Sequence, residues 1–234
     1  MSNALLLLLS VPVIFGFAIV SYRFFGKTGL FCVSAAATIL ANIEVVMLIE
    51  AFGMEQTLGN VLFASTFLIT DILSECEGKR EANKAVTLGI FCTFFFLILS
   101  QSWLLYTPSP NDVMTPFVHE LFASTPRVIG ASLAVYVISQ YFDVWLYHRW
   151  WDFTEKKSGD RRRFLWLRNN GSTLISQLLN AVLFNVFAFA GTYNAGTMVS
   201  ICLSTYVIYV FTSLLDTPFI YLARMISDKQ KEAA

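Results

Sequence analysis

Seven long apolar runs set what this chain can fold into. Each approaches the length, about 17 to 25 residues, with which an α-helix crosses a hydrocarbon layer at ~1.5 Å per residue. The runs lie at 4–21, 30–50, 58–75, 85–106, 127–148, 170–190 and 197–223. Because lipid offers no partner to backbone N–H and C=O groups, each crossing segment must satisfy these groups internally. The sequence therefore predicts an all-α, polytopic transmembrane helical bundle.

The runs leave little of the chain for anything else. Charged residues make up 14% of the 234 residues, well below the ~25% of a typical soluble domain. We therefore predict a single integral membrane domain over 1–234, in contact with the lipid bilayer and without a separate soluble domain. The first run does not have the pattern of a secretory signal peptide, because no basic residue precedes it.

The basic residues predict which end of the bundle is cytoplasmic. Short cytoplasmic loops retain Lys and Arg, and 15 of the 16 basic residues follow runs one, three, five and seven, while Arg127 is the exception. Seven spans, with the N-terminus outside and the C-terminus in the cytoplasm, fit this distribution better than six or eight. The three arginines at 161–163 then determine topology, and we predict no nucleic-acid partner.

Several common kinds of site are missing from the sequence. It has no GxxxxGK[ST] P-loop, so any use of ATP would require an ATPase partner. It has no HExxH zinc motif and no GxSxG elbow. The four cysteines show no CxxC spacing, which is typical of small buried hydrophobic residues rather than of disulfides or metal ligands. We therefore predict no catalytic residue, no metal and no cofactor.

Polar residues inside the runs are the informative feature, because an ionisable side chain at the bilayer centre costs about 2.5 to 3.5 kcal/mol on insertion scales. They are concentrated in four runs. In three of these runs they recur at helical spacing and form a stripe on one face of the helix: Asp71 and Glu75; Gln140 and Asp143; and Thr173, Gln177 and Asn180. Asn169 and Asn170 in the sixth run and Asp216 in the seventh complete the polar residues.

Four of these residues are expected at one depth. Asp71, Gln140, Gln177 and Asp216 each lie eight or nine residues from a basic residue at the cytoplasmic end, which is ~12 to 14 Å along a helix. Hydroxyls at such positions commonly bond helices together. Several carboxylates and carboxamides in one layer favour a solvated cavity or a substrate site instead.

A short internal repeat relates two of the runs. ISQYFD at 138–143 is echoed by ISQLLN at 175–180, on consecutive runs that cross in opposite directions. Because Gln140 and Gln177 lie at matching depth, an axis in the membrane plane could relate the two motifs, as in inverted-repeat transporters.

Three motifs together resemble the queuosine precursor transporter family, also called the vitamin uptake transporter family. They are TDILSECEGKR at 70–80, ISQYFDVWLYHR at 138–149 and LWLRNNGSTLISQLLN at 165–180, in the family's order. The resemblance implies a multi-pass importer in the inner (cytoplasmic) membrane. Its substrates would be 7-deazaguanines, such as 7-cyano-7-deazaguanine, 7-aminomethyl-7-deazaguanine or queuine, that supply tRNA queuosine modification.

The family is similar to the substrate-binding membrane components of energy-coupling-factor importers, for which six spans are usual. This similarity keeps two alternatives open: six spans, and a chain that works as the substrate-binding subunit of an ATP-driven vitamin importer. Two positions depart from the family pattern. Glu77 stands where an aromatic residue is common. Asn180 stands where Asp is common, which removes a possible charge from the polar layer and leaves the preferred deazaguanine open. The sequence also leaves the oligomeric state open.

The ligand chemistry suggests roles for the polar layer. A guanine-like edge presents two N–H donors beside a carbonyl, so a carboxylate can accept from the donors while an amide donates to the oxygen. Asp143 or Asp71 suits the first role, and Gln140, Gln177 or Asn170 the second. The predicted substrate-binding set is Asp71, Glu75, Gln140, Asp143, Trp145, Asn169, Asn170, Gln177 and Asn180, with Trp145 as an aromatic face and Asp216 in ion coupling.

The same residues also have other interpretations. Trp145 and its aromatic neighbours could instead meet lipid. Arg168 either extends to the interface or pairs with Asp71 or Glu75. A membrane enzyme could use Asp71 and Asp143 as acid and base, and a scaffolding protein would explain the basic loops, though not the polar layer.

The charge distribution makes a prediction about topology. A cysteine placed at 154–160 should resist an impermeant thiol reagent added to intact cells, because that loop is expected in the cytoplasm. A cysteine placed at 110–113 should react. The reverse labelling would overturn the orientation and the depth argument with it.

Overall fold

Long helices and one short β-hairpin make up the chain in the computed structural model, which describes residues 2–123, 126–189, 191 and 194–232. The elements are α1 (Asn3–Glu44), β1 (Leu48–Ala51), β2 (Met54–Thr57), α2 (Gly59–Cys76), α3 (Lys79–Trp103), α4 (Thr115–Ala123), α5 (Pro126–Ser158), α6 (Leu165–Phe189) and α7 (Ala195–Glu232). Among the described residues, five helices are long and apolar enough to cross a membrane: α1, α3, α5, α6 and α7. Residue 190, the predicted end of the sixth run, lies outside the described residues.

Helix α1 consists of two arms that meet at Gly26. This glycine has φ 58° and ψ −148°, a left-handed conformation that costs glycine little because it has no Cβ. Asn3 at the start of the first arm donates to the Glu50 carbonyl (2.9 Å). Near the Gly26 break, Tyr22 donates to the Glu77 carboxylate (2.7 Å). The arms therefore run between two ends of the bundle, and they correspond to the first two apolar runs.

These two ends can be named by what they carry. The hairpin end holds β1 and β2, the start of α2 and the C-terminus of α6. The basic end holds the Gly26 break and the turn between α5 and α6. At ~1.5 Å per residue, the 23 residues from Asn3 to Phe25 separate the ends by ~34 Å. Arg127, the exception to the charge distribution, lies at the hairpin end, where it donates to the Phe187 carbonyl (3.1 Å).

The β-hairpin was not predicted from the sequence. The second apolar run was expected to continue to residue 50, whereas helix α1 ends at Glu44 and an antiparallel pair follows. Phe52 and Gly53 have φ 56° and 71°, the conformation of a two-residue type I′ turn that matches the strand twist. A four-residue strand is too short for its alternation to stand out from an apolar helix.

Helix α2 is central, and most of its 18 residues are buried. It packs against α1, α3, α5 and α7, while α6 lies between α5 and α7. Its apolar residues Leu68, Ile69, Ile72 and Leu73 belong to the main core cluster. Large exposed apolar side chains such as Phe24 and Phe91 face away from this core, as expected for helices whose outer surface meets lipid.

The short helix α4 follows the loop that comes after α3. Ahead of it, the Asp112 carboxylate accepts from the backbone N–H groups of Met114 (2.7 Å) and Thr115 (3.1 Å). The Thr115 hydroxyl donates to the same carboxylate. These bonds satisfy N–H groups that a helix start leaves free.

Gly59 marks a close helix contact that can be tested. A Cβ at this position would lie 2.7 Å from the Ala41 carbonyl oxygen and 3.1 Å from the Val45 backbone nitrogen, whereas a Cβ at Gly16 would meet nothing within 4 Å. Because backbone atoms cannot rotate aside, Gly59→Ala should lower the unfolding free energy by about 1 to 3 kcal/mol. Gly16→Ala is the matched control and should leave the thermal midpoint in detergent unchanged or higher. Equal midpoints for both variants would contradict this packing.

Candidate functional site

A polar stripe on α6 bonds a carboxylate from each of three other helices. The stripe residues Asn169, Thr173 and Ser176 are spaced i, i+4, i+7 and so share one face. All three acids are almost completely excluded from solvent, at 0 to 2% exposure. The bonds run from Asn169 to Asp216 (2.7 Å), from Thr173 to Asp71 (2.7 Å) and from Ser176 to Asp143 (2.5 Å).

These acids are stepped along α6 rather than placed in one plane. The seven residues from Asn169 to Ser176 span ~10 Å of helix, with Asp216 nearest the basic end and Asp143 nearest the hairpin end. The expected layer is therefore tilted. Depth counted from the nearest basic residue misses this tilt, because it treats every helix as perpendicular to the membrane.

Two of the carboxyl groups are neighbours on the α6 stripe. Asp71 on α2 and Asp143 on α5 bond Thr173 and Ser176, which lie three residues apart on one face of α6. One oxygen of each, Asp71 Oδ1 and Asp143 Oδ2, has no donor among the described residues. Two neighbouring carboxylates in a buried site repel strongly when both are ionised. A single proton held between them removes that repulsion, so the pair is suited to gain and lose one proton.

The internal repeat forms a reciprocal pair of hydrogen bonds. Ser139 of the first motif donates to the Asn180 side-chain oxygen of the second (3.3 Å), and Ser176 of the second donates to Asp143 of the first (2.5 Å). The second residue of each motif thus bonds the sixth residue of the other. This is the contact pattern that a twofold axis between antiparallel helices produces.

The carboxamides of the two motifs differ in their surroundings. Gln140 donates to the Thr66 hydroxyl (2.6 Å) and accepts from the Thr70 hydroxyl (3.2 Å), so α2 occupies both of its polar atoms. Gln177 is 1% exposed, and its Oε1 has no partner among the described residues. Of the two, only Gln177 presents an unused oxygen in this structure.

Two further carboxamides from the predicted set bind α7. Asn170 donates to the Thr217 hydroxyl (2.8 Å) and accepts from Ser213 (3.3 Å). Asn180 donates to the Tyr209 hydroxyl (3.0 Å). Together with the Asn169 bond to Asp216, these contacts hold α6 against α7 between Asn169 and Asn180.

The structure does not bring Trp145 to this site. Its side chain is 45% exposed and stacks on Phe142 at 5.8 Å, with the Arg149 guanidinium 5.6 Å from its ring. Trp145 follows Asp143 by two residues, which is about 200° around a helix. It therefore points away from the acids, as the alternative of a lipid-facing aromatic residue requires.

Glu75 lies at the basic end and forms a buried ion pair. Arg168 donates to both Glu75 oxygens (2.9 and 2.6 Å), and the Tyr147 hydroxyl donates to the same carboxylate (2.8 Å). Arg224 is 3.5 Å away, and the Arg168 guanidinium lies 4.4 Å from the Trp151 ring centroid. Of the alternatives left open for Arg168, pairing with Glu75 is the one observed. The pair ties α2 to α6 at the basic end.

A vestibule of about 370 Å³ lies at the hairpin end. Strand β2, the start of α2, the C-terminus of α6 and the start of α7 enclose it. Its lining residues are Val45, Val46, Leu48, Glu55, Gln56, Thr57, Asn60, Val128, Phe184, Asn185, Phe189, Thr197, Ser200, Ile201, Ser204 and Thr205. A smaller cavity of about 30 Å³, large enough for a water molecule, is lined by Asn60, Asn180 and Tyr209 among others.

Sequence reasoning missed several of these residues. Ser176 was overlooked because a serine in a helix usually bonds its own backbone, and it does so here, to the Ser172 carbonyl (2.7 Å), in addition to binding Asp143. Gln56 and Asn60 lie in and beside a connection, where polar side chains are expected to meet water. Their burial could not be predicted without the hairpin.

Comparison with known proteins assigns the chain to a family. Residues 57–223 match the family described as "Putative vitamin uptake transporter". The chain belongs to this family. The matched region holds α2, the α5 and α6 repeat and the three acids, so the family extends over the polar site.

A curated relative agrees with this assignment. The chain is 38% identical over 213 residues to a Bacillus subtilis (strain 168) protein named "Probable queuosine precursor transporter", covering 91% of each chain. No solved structure matches. As a member of the vitamin uptake transporter family the chain is a multi-pass membrane transporter and not an enzyme, so Asp71 and Asp143 are not an acid and base of catalysis.

The buried ion pair makes a prediction about stability. Glu75→Leu leaves the Arg168 charge buried without its carboxylate, which should cost about 3 to 5 kcal/mol. The double variant Glu75→Leu/Arg168→Leu should recover most of the loss, because Arg224 is partly exposed and can be hydrated. Glu155→Leu is the matched control, since its pair with Arg161 is exposed and should contribute no more than about 1 kcal/mol. Thermal unfolding in detergent measures all three, and a double variant no more stable than Glu75→Leu would refute the argument.

Proposed function

We propose that this transporter imports queuosine precursors, namely 7-deazaguanines such as 7-cyano-7-deazaguanine, 7-aminomethyl-7-deazaguanine or queuine, for tRNA queuosine modification. The main support for this substrate class is the relationship to the Bacillus subtilis protein, which extends over nearly all of both chains. The chemistry of the buried polar site is compatible with such a ligand.

The site offers both parts of a complement to a guanine-like edge. Asp143 has an oxygen without a donor among the described residues, and a carboxylate oxygen is the preferred acceptor for paired N–H groups. Gln177 lies one residue after Ser176, which bonds Asp143, so its amide is near enough to donate to the ligand carbonyl. In this proposal Asp71 shares the proton of Asp143. Gln140 and Asn180 hold the helices around the ligand in place through their hydrogen bonds to α2, α5 and α7.

We place the hairpin end outside the cell and the basic end in the cytoplasm of a bacterial inner membrane. Three arginines at 161–163, together with Arg168 and Arg224, lie at the basic end, as the retention of basic residues in cytoplasmic loops requires. Counting each arm of α1 as one crossing gives seven spans, an outer N-terminus and an inner C-terminus. Helix α2 then crosses within the bundle, where its acids are shielded from lipid.

Proton coupling is the energy source that the buried acids favour. Asp216 bonds Asn169 (2.7 Å) on the stripe that also binds Asp71 and Asp143, so a proton gained at one acid changes the charge felt by the others. The alternative is an external ATPase module, as in energy-coupling-factor importers. Accumulation that stops when an uncoupler is added favours protons, whereas accumulation that persists but needs a partner ATPase favours the alternative.

Uptake and binding measurements test the substrate class and Asp143 together. Cells that lack their own importer should accumulate labelled 7-cyano-7-deazaguanine only when this chain is present. Asp143→Asn removes one charge-assisted hydrogen bond in a dry site. The purified variant should therefore bind 7-cyano-7-deazaguanine about tenfold to a hundredfold more weakly, a loss of ~1.5 to 3 kcal/mol in binding free energy. Asp152→Asn, the same change at an exposed position of the same helix, should bind normally.

The substrate class and the role of Asp143 can be refuted separately. Absence of uptake above that of cells without the chain, for all three deazaguanines, would refute the proposed function. Normal uptake with unchanged affinity in Asp143→Asn would leave the function in place and move the ligand away from Asp143.

A further inference from the structure

Gln56 is a buried carboxamide without partners. Residues of a strand alternate between its faces, and Gln56 shares the inward face of the hairpin with the apolar residues Ile49, Ala51 and Met54. It is 4% exposed, and neither its Nε2 nor its Oε1 has a hydrogen-bond partner among the described residues. Burial of an amide without partners is unfavourable, so this position calls for a polar ligand.

Asn60 presents a second unused group to the same space. Its Oδ1 accepts from the Thr57 hydroxyl (3.2 Å) and the Tyr209 hydroxyl (3.5 Å), which fixes the orientation of the carboxamide. Its Nδ2 has no partner among the described residues, although the side chain is 8% exposed. Both residues line the vestibule, and a donor of Asn60 and both polar groups of Gln56 are without partners among the described residues.

The vestibule has the size and walls of a small-molecule site. Its volume of about 370 Å³ lies within the range of roughly 300 to 1,000 Å³ that is usual for ligand pockets. Phe184 and Phe189 provide aromatic surface on the α6 side, against which a flat ring can pack. Hydroxyls of Thr197, Ser200 and Thr205 add polar contacts from α7.

Charge restricts what this space can hold. None of the described residues that line the vestibule is Lys, Arg or His, and Glu55 is the charged residue among them. A phosphate or carboxylate entering here would lose water without gaining a cation, and it would be repelled by Glu55. The vestibule is therefore suited to a base without an anionic group and unsuited to a nucleotide.

We infer that the vestibule is the first binding site of the transporter, where Gln56 and Asn60 select a planar heterocycle that has an amide edge and no anionic group. A carboxamide reads such an edge with two parallel hydrogen bonds, one donated and one accepted. The inference rests on the proposed function, and it adds a site that lies apart from the buried acids.

The geometry links this site to the acids. The Tyr209 hydroxyl bonds both Asn60 (3.5 Å) and the Asn180 amide (3.0 Å), and Asn180 accepts from Ser139 beside Gln140. A chain of hydrogen bonds thus connects Asn60 at the vestibule with the polar face of α6 that bonds Asp143.

Initial rates of uptake from outside test the vestibule. Gln56→Leu and Asn60→Leu should each raise the KM for 7-cyano-7-deazaguanine about tenfold or more, at an unchanged amount of protein in the membrane. Gln101→Leu is the matched control, because Gln101 lies on α3 and donates to the Phe122 carbonyl (3.4 Å) instead of lining the vestibule. With the native chain, guanine should compete for uptake, whereas its 5′-monophosphate should not.

Thiol labelling gives a readout that does not depend on these variants folding. Ser200→Cys places a thiol in the exposed part of the vestibule wall, and Ser109→Cys places one in the loop between α3 and α4. Saturating 7-cyano-7-deazaguanine should slow labelling of Ser200→Cys by an impermeant reagent and leave Ser109→Cys unaffected.

The outcomes separate the two proposals. Normal uptake by the native chain, with an unchanged KM in both leucine variants and no protection of Ser200→Cys, would overturn the vestibule site alone. Competition by the monophosphate as strong as by guanine would overturn its selectivity. No uptake of any deazaguanine by the native chain would overturn the proposed function itself.

Discussion

The hydrogen bonds from α6 to three buried carboxylates are the contacts on which the rest of the arrangement depends. Each acid would be very costly to bury without a donor, so Asn169, Thr173 and Ser176 set where α7, α2 and α5 must lie. Apolar contacts alone are weak at specifying helix register in lipid, because lipid tails are as apolar as the side chains. Polar contacts of this kind supply the specificity that the apolar faces lack.

The two ends of the bundle use polar groups in opposite ways. At the basic end, the buried charges of Glu75 and Arg168 are paired. The Glu75 carboxylate accepts hydrogen bonds from Arg168 and from the Tyr147 hydroxyl. At the hairpin end, Gln56 and Asn60 keep unused groups beside an open space. The two ends therefore differ in kind: one holds paired buried charges, and the other holds a cavity lined by carboxamides.

Much of this arrangement could be predicted from the sequence, because hydrophobic length and helical spacing are local properties. The helices, a polar face on α6 that includes Asn169 and Thr173, and the burial of Asp71, Asp143 and Asp216 follow from run length, polar spacing and the cost of charge in lipid. Ser176, which completes the α6 stripe, was not predicted. The residues that each polar or aromatic side chain contacts could not be predicted in this way, since these contacts depend on helix tilt and rotation. Trp145 was expected beside the acids and lies outside, and Gln140, expected to face a ligand, is taken up by two α2 hydroxyls. The hairpin escaped prediction because its strands are only four residues long.

The reciprocal bonds of the internal repeat have a mechanical consequence. Ser139 to Asn180 and Ser176 to Asp143 connect the same two antiparallel helices at separate heights. Sliding α6 along α5 by one residue would stretch both bonds at once, so the pair resists shear and behaves as a rigid unit. Any movement that exposes the acids to the opposite side must therefore occur between this unit and the helices around it, with α5 and α6 serving as the stationary frame.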